Sequence, residues 1–354
     1  MNLRNLDFEG LSAELAPLRP TRTALLKVFA AVFARGAGDI EEVANAPQVP
    51  RALKAVIQER GELPALRVVE RRRAADGFVK YLFESPRGGR VEAVRIPIFD
   101  DKYVVCVSSQ VGCALACDFC MTGRLGFSRN LETWEILDQV RAIRAEADRP
   151  IRGIVFMGMG EPLLNYREAI RAARVLSHPA GFAISGKAIT FSTAGVVPAI
   201  RRYVRDGHPY RLAFSLTSAI PEKRARVMPV QHAHPFEALV EAIREYAESR
   251  RERAMIAYVA IRGFNTGYED ALALREVFAG IRIKIDLIDA NDPTGRYLPP
   301  TPDELAAFRD HLQLVGAPIA RRYSGGKDIG AACGTLEASR RGGEILPAPL
   351  DASC

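Results

Sequence analysis

The chain has 354 residues, of which 48% are hydrophobic and 26% are charged, and it carries a net charge of +7. That length suits two domains, or one large α/β domain with an attachment, of an ordinary globular protein. The polar start, MNLRNLDFEG, argues against a secretory signal, and the apolar stretch ALLKVFAAVFA is interrupted by Lys27 and too short to cross a bilayer. We therefore expect a cytoplasmic protein without membrane association, whose cysteines stay reduced.

Helices are predicted near the N-terminus. The stretch TRTALLKVFAAVFARG ends at Gly36, and a second stretch begins near Pro50 and ends at Gly61, residues that typically begin and end helices. The segments FVKYLFES and RVEAVRIPI, joined by the turn PRGG, then predict a β-hairpin. We accordingly expect a small helical domain over 1–75 and a β-hairpin linker over 76–100.

A regular alternation of strands and helices follows the hairpin. Six near-continuous apolar segments predict parallel strands that are covered by helices. Six units are too few for a closed eight-stranded barrel, so the predicted fold class is α/β, an open (β/α)6 TIM-like partial barrel over 101–320 whose catalytic loops follow the carboxyl ends of the strands. The predicted strands are 103–109, 151–159, 187–193, 211–217, 254–263 and 281–288.

The C-terminal segment, 321–354, begins with a glycine-rich stretch that contains SGGKDIGAACG. It shows no amphipathic period and carries Cys333 between alanines and a glycine. We expect a mobile, functional loop here, after the last unit of the barrel.

Basic residues concentrate in four clusters, three of which also contain aromatic residues. Such a mixture suits contact with phosphates beside stacking on bases. Each cluster taken singly is more simply a solvated helix end or loop, but the four together favour a polyanionic partner. The clusters are 70–81, 201–211, 248–253 and 320–327.

Three cysteines, Cys113, Cys117 and Cys120, lie in GCALACDFCMTG, directly after the first barrel strand. A zinc site would require a fourth ligand, and none of the five histidines lies in this loop. Three thiolates without a fourth suit a [4Fe–4S] cluster with one open iron. The alternative of a different class is a non-enzymatic nucleic-acid-binding module with a structural metal site, which predicts zinc.

The Cys-x3-Cys-x2-Cys spacing resembles the signature of radical S-adenosylmethionine (SAM) enzymes, in which SAM occupies the open iron. MGMGEP, at the end of the second strand, offers close backbone approach and the carboxylate of Glu161 for the SAM ammonium group. Together with CVSSQVGC, FSTAGVVP and DIGAACG, these motifs resemble the RlmN/Cfr family of radical SAM RNA (adenine) methyltransferases. The likeness runs from residue 76 to residue 336.

The resemblance implies roles for individual residues. The three clustered cysteines would bind the [4Fe–4S] cluster. Cys333 is similar to the cysteine that family members methylate, Cys106 to the thiol that resolves the covalent intermediate, and Glu92 to the proton acceptor. The implied SAM contacts are Gly160, Glu161, Ser192, Ser215, Leu216, Thr217 and Asn291.

In the family's route, one SAM methylates the cysteine that corresponds to Cys333, and a second gives the radical that takes hydrogen from the S-methyl group. The carbon radical adds to the base, and loss of a proton and a Cys106–Cys333 disulfide release methyladenosine. A radical route is reasonable because adenine C2 is electron-poor and does not attack a sulfonium methyl group. Since a disulfide requires Cα atoms within about 7 Å, the C-terminal loop must fold over the barrel mouth.

The resemblance also implies the substrate and partners. We expect methylation at C2 of an adenosine in 23S rRNA, tRNA or both, with C8 methylation, as in Cfr, as the alternative. The helical domain would be an RNA-binding accessory, the electron would come from an external donor such as flavodoxin, and the protein would be a monomer. A radical SAM enzyme for a small molecule or peptide would leave the helical domain and the basic clusters without a role.

The chain departs from the family pattern at several positions. Thr217 replaces a histidine, and Ala257 replaces a glutamate. Asp286 and Asp289 stand where asparagine and proline are usual, and Met121 follows the last cysteine in place of serine or alanine. These changes lie around SAM and the substrate, so they affect the expected RNA target more than the expected reaction.

Overall fold

In the computed structural model, residues 1–99, 101–250 and 252–336 are described, and the rest of the predicted C-terminal tail, including Cys354, lies outside the described residues. The chain begins with a group of helices. Side-chain oxygens of Asp7, Thr21 and Asp39 accept hydrogen bonds from backbone N–H groups three residues on and so begin the first three. The helices are α1 Phe8–Leu15, α2 Arg22–Val32, α3 Ile40–Ala44 and α4 Arg51–Arg60, the last between Pro50 and Gly61 as predicted.

Three antiparallel strands follow, β1 Arg67–Arg73, β2 Val79–Glu84 and β3 Arg90–Ile98. The predicted hairpin, β2 and β3, is confirmed. The sequence analysis did not predict β1, because RVVERRR is polar, has no buried residue and therefore lacks an apolar alternation. Strand β3 also pairs with the first barrel strand, so the hairpin extends the main sheet.

The remaining strands and helices build the barrel. The strands are β4 Lys102–Cys106, β5 Gln110–Gly112, β6 Phe127–Asn130, β7 Ile151–Phe156, β8 Ile189–Thr193, β9 Arg211–Ser215, β10 Ala254–Ala260, β11 Ile283–Asp289 and β12 Ile319–Arg321. The helices are α5 Met121–Leu125, α6 Thr133–Ala145, α7 Tyr166–Ser177, α8 Val197–Asp206, α9 Pro221–Val227, α10 Val230–Ala233, α11 Phe236–Arg250, α12 Tyr268–Val277 and α13 Pro302–His311.

One ten-stranded sheet has the order β1-β2-β3-β4-β7-β8-β9-β10-β11-β12, and its strands run parallel from β4 onward. All six predicted barrel strands are present, and β12 adds a short seventh. This is the predicted α/β partial TIM-like barrel. Several observed strands end before their predicted carboxyl ends, because the last apolar residues belong to the loops that form the pocket described below.

The N-terminal helices pack on the barrel without a break in the apolar core. Val28 and Phe29 of α2 belong to the same cluster of buried side chains as Phe156 and Phe191 of the barrel. No helix among the described residues has the length and apolar character needed to cross a membrane.

Candidate active site

A pocket opens at the carboxyl ends of the parallel strands, where the loops that follow β4, β7 and β8 face the C-terminal loop. Residues from distant parts of the sequence meet there. The predicted site residues that line it are Cys113, Cys117, Cys120, Gly160, Glu161, Ser192, Ser215, Asn291 and Cys333. The predicted site residues that do not line it are Cys106, Glu92, Leu216 and Thr217.

The loop over residues 112–120, which carries the three clustered cysteines and is called the cysteine loop below, is folded tightly by backbone contacts. Gly112 has a φ of +77°, and a Cβ atom there would lie 1.9 Å from the carbonyl oxygen of Gly126, so only glycine fits. The N–H of Cys113 donates to that same oxygen at 2.8 Å, and the N–H of Cys120 donates to the carbonyl of Cys117 at 3.1 Å. The loop thereby directs all three thiols into one pocket.

The three thiols lie close enough to affect one another. Burial raises the pKa of Cys113 to about 12 and also raises the pKa values of Cys117 and Cys120. The pKa of Cys117 is raised further by the charges of the other two cysteines. Without a metal to replace their protons, these thiols are therefore neutral at physiological pH.

The arrangement fits an iron–sulfur cluster. Among residues 1–99, 101–250 and 252–336, no three Cys, His, Asp or Glu side chains converge closely enough to hold one metal ion. The thiolates of a [4Fe–4S] cluster bind different irons, so they stand further apart than the ligands of a single ion. Three thiols in one pocket, beside apolar side chains such as Leu115 and Met228, suit a cluster with one iron left open.

A network of charged side chains joins the cysteine loop to the loop after β11. The Asp118 carboxylate accepts hydrogen bonds from Arg296, at 2.8 Å, and from the Tyr297 hydroxyl. A second contact runs from Arg124 of α5 to the same loop. Its two terminal nitrogens donate to the two carboxylate oxygens of Asp292 at 3.1 and 2.8 Å, and the Asp292 side chain is 1% exposed. The sequence analysis did not identify this network, because its members lie far apart in the chain.

Glu161 lies at the pocket wall where β7 ends. Its carboxylate accepts hydrogen bonds from the N–H groups of Ala194, at 2.8 Å, and Leu163, at 3.1 Å. Burial nevertheless raises the pKa of Glu161 to about 7. Gly160 before it has a φ of +98°, and a Cβ there would lie 2.5 Å from the side chain of Gln110. Glycine is therefore required here for the packing of Gln110, and its backbone lines the pocket.

Polar groups from the ends of β8 and β9 and from the loop after β11 complete the pocket wall. The hydroxyls of Ser192 and Ser215 are 3.1 Å apart. The side-chain amide of Asn291 donates to the carbonyl of Asp289 at 2.8 Å and to the Ser324 hydroxyl at 3.0 Å. These side chains can donate or accept hydrogen bonds with a ligand in the pocket.

Two predicted SAM contacts are buried behind the wall. Leu216 and Thr217 are fully buried and do not line the pocket. Thr217 has a φ of +63°, which is rare for a β-branched residue, and its buried hydroxyl has no hydrogen-bond partner among the described residues. The replacement of the family's histidine thus leaves a strained backbone and an unsatisfied hydroxyl at this position.

Cys106 and Cys333 lie near enough for their charges to interact although they belong to β4 and the C-terminal loop. Both are free thiols, with Cys106 buried at the strand end and Cys333 in the pocket lining. Burial, and then the charge of Cys333, raises the pKa of Cys106 to about 12. The charge of Cys333 also raises the pKa of Cys120. Cys333 therefore lies close to both Cys106 and the cysteine loop.

Backbone contacts hold the Cys333 loop over the pocket. The N–H of Met121 donates to the carbonyl of Gly334 at 2.8 Å, and the Thr122 hydroxyl donates to the carbonyl of Leu336 at 2.6 Å. Met121, which departs from the family pattern, thus contributes a backbone contact at the start of α5.

Glu92 lies on the same face of the sheet as Cys106. In the β3–β4 register Val94 is opposite Cys106, and Glu92 follows two positions away, beyond the end of β4. Its carboxylate forms a buried ion pair with Lys80 at 3.0 Å. The sequence analysis missed Lys80. The predicted hairpin could have identified it, because the pairing of the two strands places Lys80 opposite Val94, on the face that carries Glu92.

Comparisons with known proteins agree with this architecture. The Radical SAM superfamily matches residues 107–274. A Myxococcus xanthus protein named "Probable RNA methyltransferase" is 70% identical over 352 residues, which cover 99% of this chain and 98% of the relative. The "Dual-specificity RNA methyltransferase RlmN" of Syntrophobacter fumaroxidans is 41% identical over 315 residues, which cover 88% and 91% of the two chains.

A solved structure is similar over nearly the whole chain. The crystal structure of a radical SAM methyltransferase from Sphaerobacter thermophilus has a TM-score of 0.87 and 34% identity, covering 96% of this chain and 100% of that one. The fold, the pocket and these relatives agree: the chain belongs to the RlmN/Cfr family and is a radical SAM RNA methyltransferase.

Proposed function

We propose that this enzyme methylates C2 of an adenosine in RNA, with Cys333 as the methyl carrier and Cys106 as the thiol that releases the product. The observation that carries the proposal is the position of Cys333, which lines the same pocket as the three clustered cysteines and is held there by the hydrogen bond from the N–H of Met121 to the carbonyl of Gly334. One relative is named a dual-specificity enzyme, and we propose 23S rRNA and tRNA as the two substrates here.

The pocket offers binding groups for both cofactors. Cys113, Cys117 and Cys120 would hold a [4Fe–4S] cluster, and SAM at its open iron would, when bound, supply the radical that abstracts hydrogen. The Glu161 carboxylate would accept hydrogen bonds from the SAM ammonium group. The further polar groups for SAM are those of Gly160, Ser192, Ser215 and Asn291.

The two free thiols would carry the methyl chemistry. The Cys333 thiol takes up a methyl group and holds its carbon inside the pocket, where the adenine ring enters. After the carbon is joined to the base, the Cys106 thiolate bonds to the Cys333 sulfur, and the bond between the Cys333 sulfur and the carbon breaks. The electron pair of that bond stays with the carbon, which takes up a proton to complete the methyl group, and the two cysteines are left oxidised as a disulfide. Burial raises the pKa of Cys106 to about 12, and the charge of Arg322, which lines the pocket, acts in the opposite direction by lowering it.

Glu92 would accept the proton that the base loses. It lies on the face of the sheet that carries Cys106, and the Lys80 ammonium group stabilises its ionised form. Because the carboxylate lies behind the pocket lining, we propose that the proton leaves the pocket toward this buried pair.

Exposed side chains at the pocket rim support the proposal that the substrate is RNA. Tyr323 is 72% exposed and lies edge-on to the Phe78 ring, at 6.0 Å between centroids. Arg321 and Lys327 beside it are each 54% exposed. An exposed aromatic ring between cations is typical of surfaces that bind single-stranded bases and phosphates. The external electron donor, such as flavodoxin, and the monomeric state stay predictions.

The test replaces each thiol in turn. With Cys106→Ala, we expect a covalent protein–RNA adduct to accumulate, because the bond between Cys333 and the base cannot be resolved. With Cys333→Ala, we expect no methylated RNA and no adduct. Denaturing gels with labelled RNA detect the adduct, and Cys354→Ala is the matched control, expected to turn over normally.

Normal turnover of Cys106→Ala would remove the resolving role. Mass spectrometry of the RNA nucleosides decides the position, since 2-methyladenosine supports the proposal and 8-methyladenosine contradicts it. Anaerobic reconstitution should give about four irons per chain, the content of one cluster. Stoichiometric zinc in place of iron would contradict the cluster assignment.

A further inference from the structure

Arg224 of α9 is buried directly behind the cysteine loop. Its side chain is 1% exposed, and its guanidinium donates to neutral acceptors on every side. Nε donates to the Gln231 side chain at 2.9 Å, and Nη2 donates to the carbonyl of Ala194 at 2.5 Å. Nη1 donates to the carbonyls of Ser215, at 3.0 Å, and Leu216, at 2.6 Å. These bonds fix the cation in one orientation.

Within the described part of the chain, no carboxylate forms an ion pair with Arg224. Its helix, α9, lies against the cysteine loop instead, since the N–H of Asp118, the residue after Cys117, donates to the carbonyl of Val227 at 3.0 Å. Arg4, which is buried to a similar extent, has Asp138 at 3.5 Å. Burying a cation without a counter-charge is costly, so a negative group is expected beside Arg224.

Three thiolates around a [4Fe–4S] core provide that negative group, because they carry more charge than the core offsets. We propose that Arg224 is the buried counter-ion of the cluster, and that it acts through Cys117 to stabilise the reduced state. Arg224 is thus a positioning residue, and the inference rests on the cluster assignment made above. Adding an electron makes the cluster more negative, so a fixed cation nearby raises its reduction potential.

The test compares reduction potentials of anaerobically reconstituted protein. In Arg224→Gln we expect at least a tenfold lower ratio of reduced to oxidised cluster at a fixed potential, which is about 59 mV for one electron. Arg224→Lys keeps the charge and should restore most of the ratio. Potentiometric titration, monitored by electron paramagnetic resonance, measures the reduction potential of the cluster in both variants. Arg4→Gln is the matched control, expected to destabilise the fold and leave the potential unchanged.

The outcomes separate this inference from the proposed function. If the unchanged protein assembles no [4Fe–4S] cluster, the cluster assignment itself fails. If the cluster assembles and Arg224→Gln keeps the original potential, the counter-ion role is wrong. Should Arg224→Gln fold, by circular dichroism, but retain no iron, then restored iron in Arg224→Lys supports the role, and no restoration contradicts it.

Discussion

At the scale of single residues, Glu161 shows how burial opposes local hydrogen bonding. Two backbone N–H groups favour its ionised form, yet the surrounding pocket removes it from water, and the pKa rises to about 7. A carboxyl that burial makes costly to ionise gains from binding a cation. This is the electrostatic property expected of a group that would bind the ammonium of SAM.

The shift predicts how stability depends on pH. In the unfolded chain Glu161 ionises near pH 4.5, whereas in the fold it stays protonated until about pH 7. The folded state therefore binds more protons between these values, and its stability falls as the pH rises through this window. We expect Glu161→Gln to remove this loss, up to about 3 kcal/mol above pH 7.

Urea unfolding of the iron-free protein at pH 5 and pH 8 measures the effect. The quantity to compare is the difference in free energy of unfolding between the variant and the unchanged protein, because other groups titrate in both. That difference should grow with pH in favour of the variant. Parallel pH profiles for the two proteins would contradict the predicted shift.

At the scale of elements, the contact between Arg124 and Asp292 joins α5 to the loop after β11. The Arg124 guanidinium holds the pKa of Asp292 down to about 2 in spite of its burial. Asp292→Ala removes the counter-charge, and we expect the free energy of unfolding to fall by about 3 kcal/mol, as for other buried pairs. We also expect reconstituted protein to lose iron faster, because α5 follows the cysteine loop directly.

Denaturant unfolding and timed iron release to a chelator measure the two effects. Asp292→Asn is the matched variant, since it keeps the shape of the side chain and part of the hydrogen bonding. Its free energy of unfolding and its rate of iron release should both lie between those of Asp292→Ala and the unchanged protein. Iron release at the original rate in Asp292→Ala would show that the contact does not hold the cysteine loop.

A second contact between elements joins the β1–β2 turn to the C-terminal loop. The Asp76 carboxylate accepts hydrogen bonds from the Tyr323 hydroxyl and from the N–H of Gly326, both at 2.9 Å. Asp76→Ala releases both bonds and should let the Cys333 loop move away from the pocket. We expect roughly tenfold less methylated RNA per SAM cleaved, since hydrogen bonds to a charged group contribute about 1.5–3 kcal/mol each.

The ratio of methylated RNA to cleaved SAM is the measurement. Tyr323→Phe, which removes one of the two bonds and keeps the ring, should give an intermediate ratio. A ratio in Asp76→Ala equal to that of the unchanged enzyme would mean that the loop stays in place without this contact.

At the scale of the whole molecule, the N-terminal helices and the barrel share one core. The buried Asp138 of α6 pairs with Arg4 at 3.5 Å and accepts a hydrogen bond from the N–H of Leu66 at 2.7 Å. The N–H of Trp134, the single tryptophan of the chain, donates to the side chain of Asn5 at 3.2 Å. Trp134 therefore reports on the contact between the two parts.

We expect the iron-free protein to unfold in one transition. Trp134 fluorescence and far-ultraviolet circular dichroism should have the same urea midpoint, because the shared core couples the two parts. Arg4→Gln should lower both midpoints together. Two separate midpoints in the unchanged protein would show that the N-terminal helices unfold independently.

Some elements and contacts could not be predicted from local patterns. Strand β1 is a polar edge strand, and β12 has only three residues, so neither gives an apolar period of useful length. The C-terminal stretch has no periodicity either, and its contacts with Asp76 and Met121 depend on the whole fold. Leu216 and Thr217, which a motif names as SAM contacts, are fully buried and do not line the pocket, and their role stays a prediction.

The sequence by itself determined the partial barrel and the group of candidate ligands, because apolar periodicity and the spacing of three cysteines are properties of short segments. The tertiary structure alone decided that Cys333 reaches the cysteine loop and that Arg224 is buried behind that loop without an ion pair among the described residues. These arrangements join elements far apart in the chain, and only the packing of the sheet, α9 and the C-terminal loop brings their charges and thiols together.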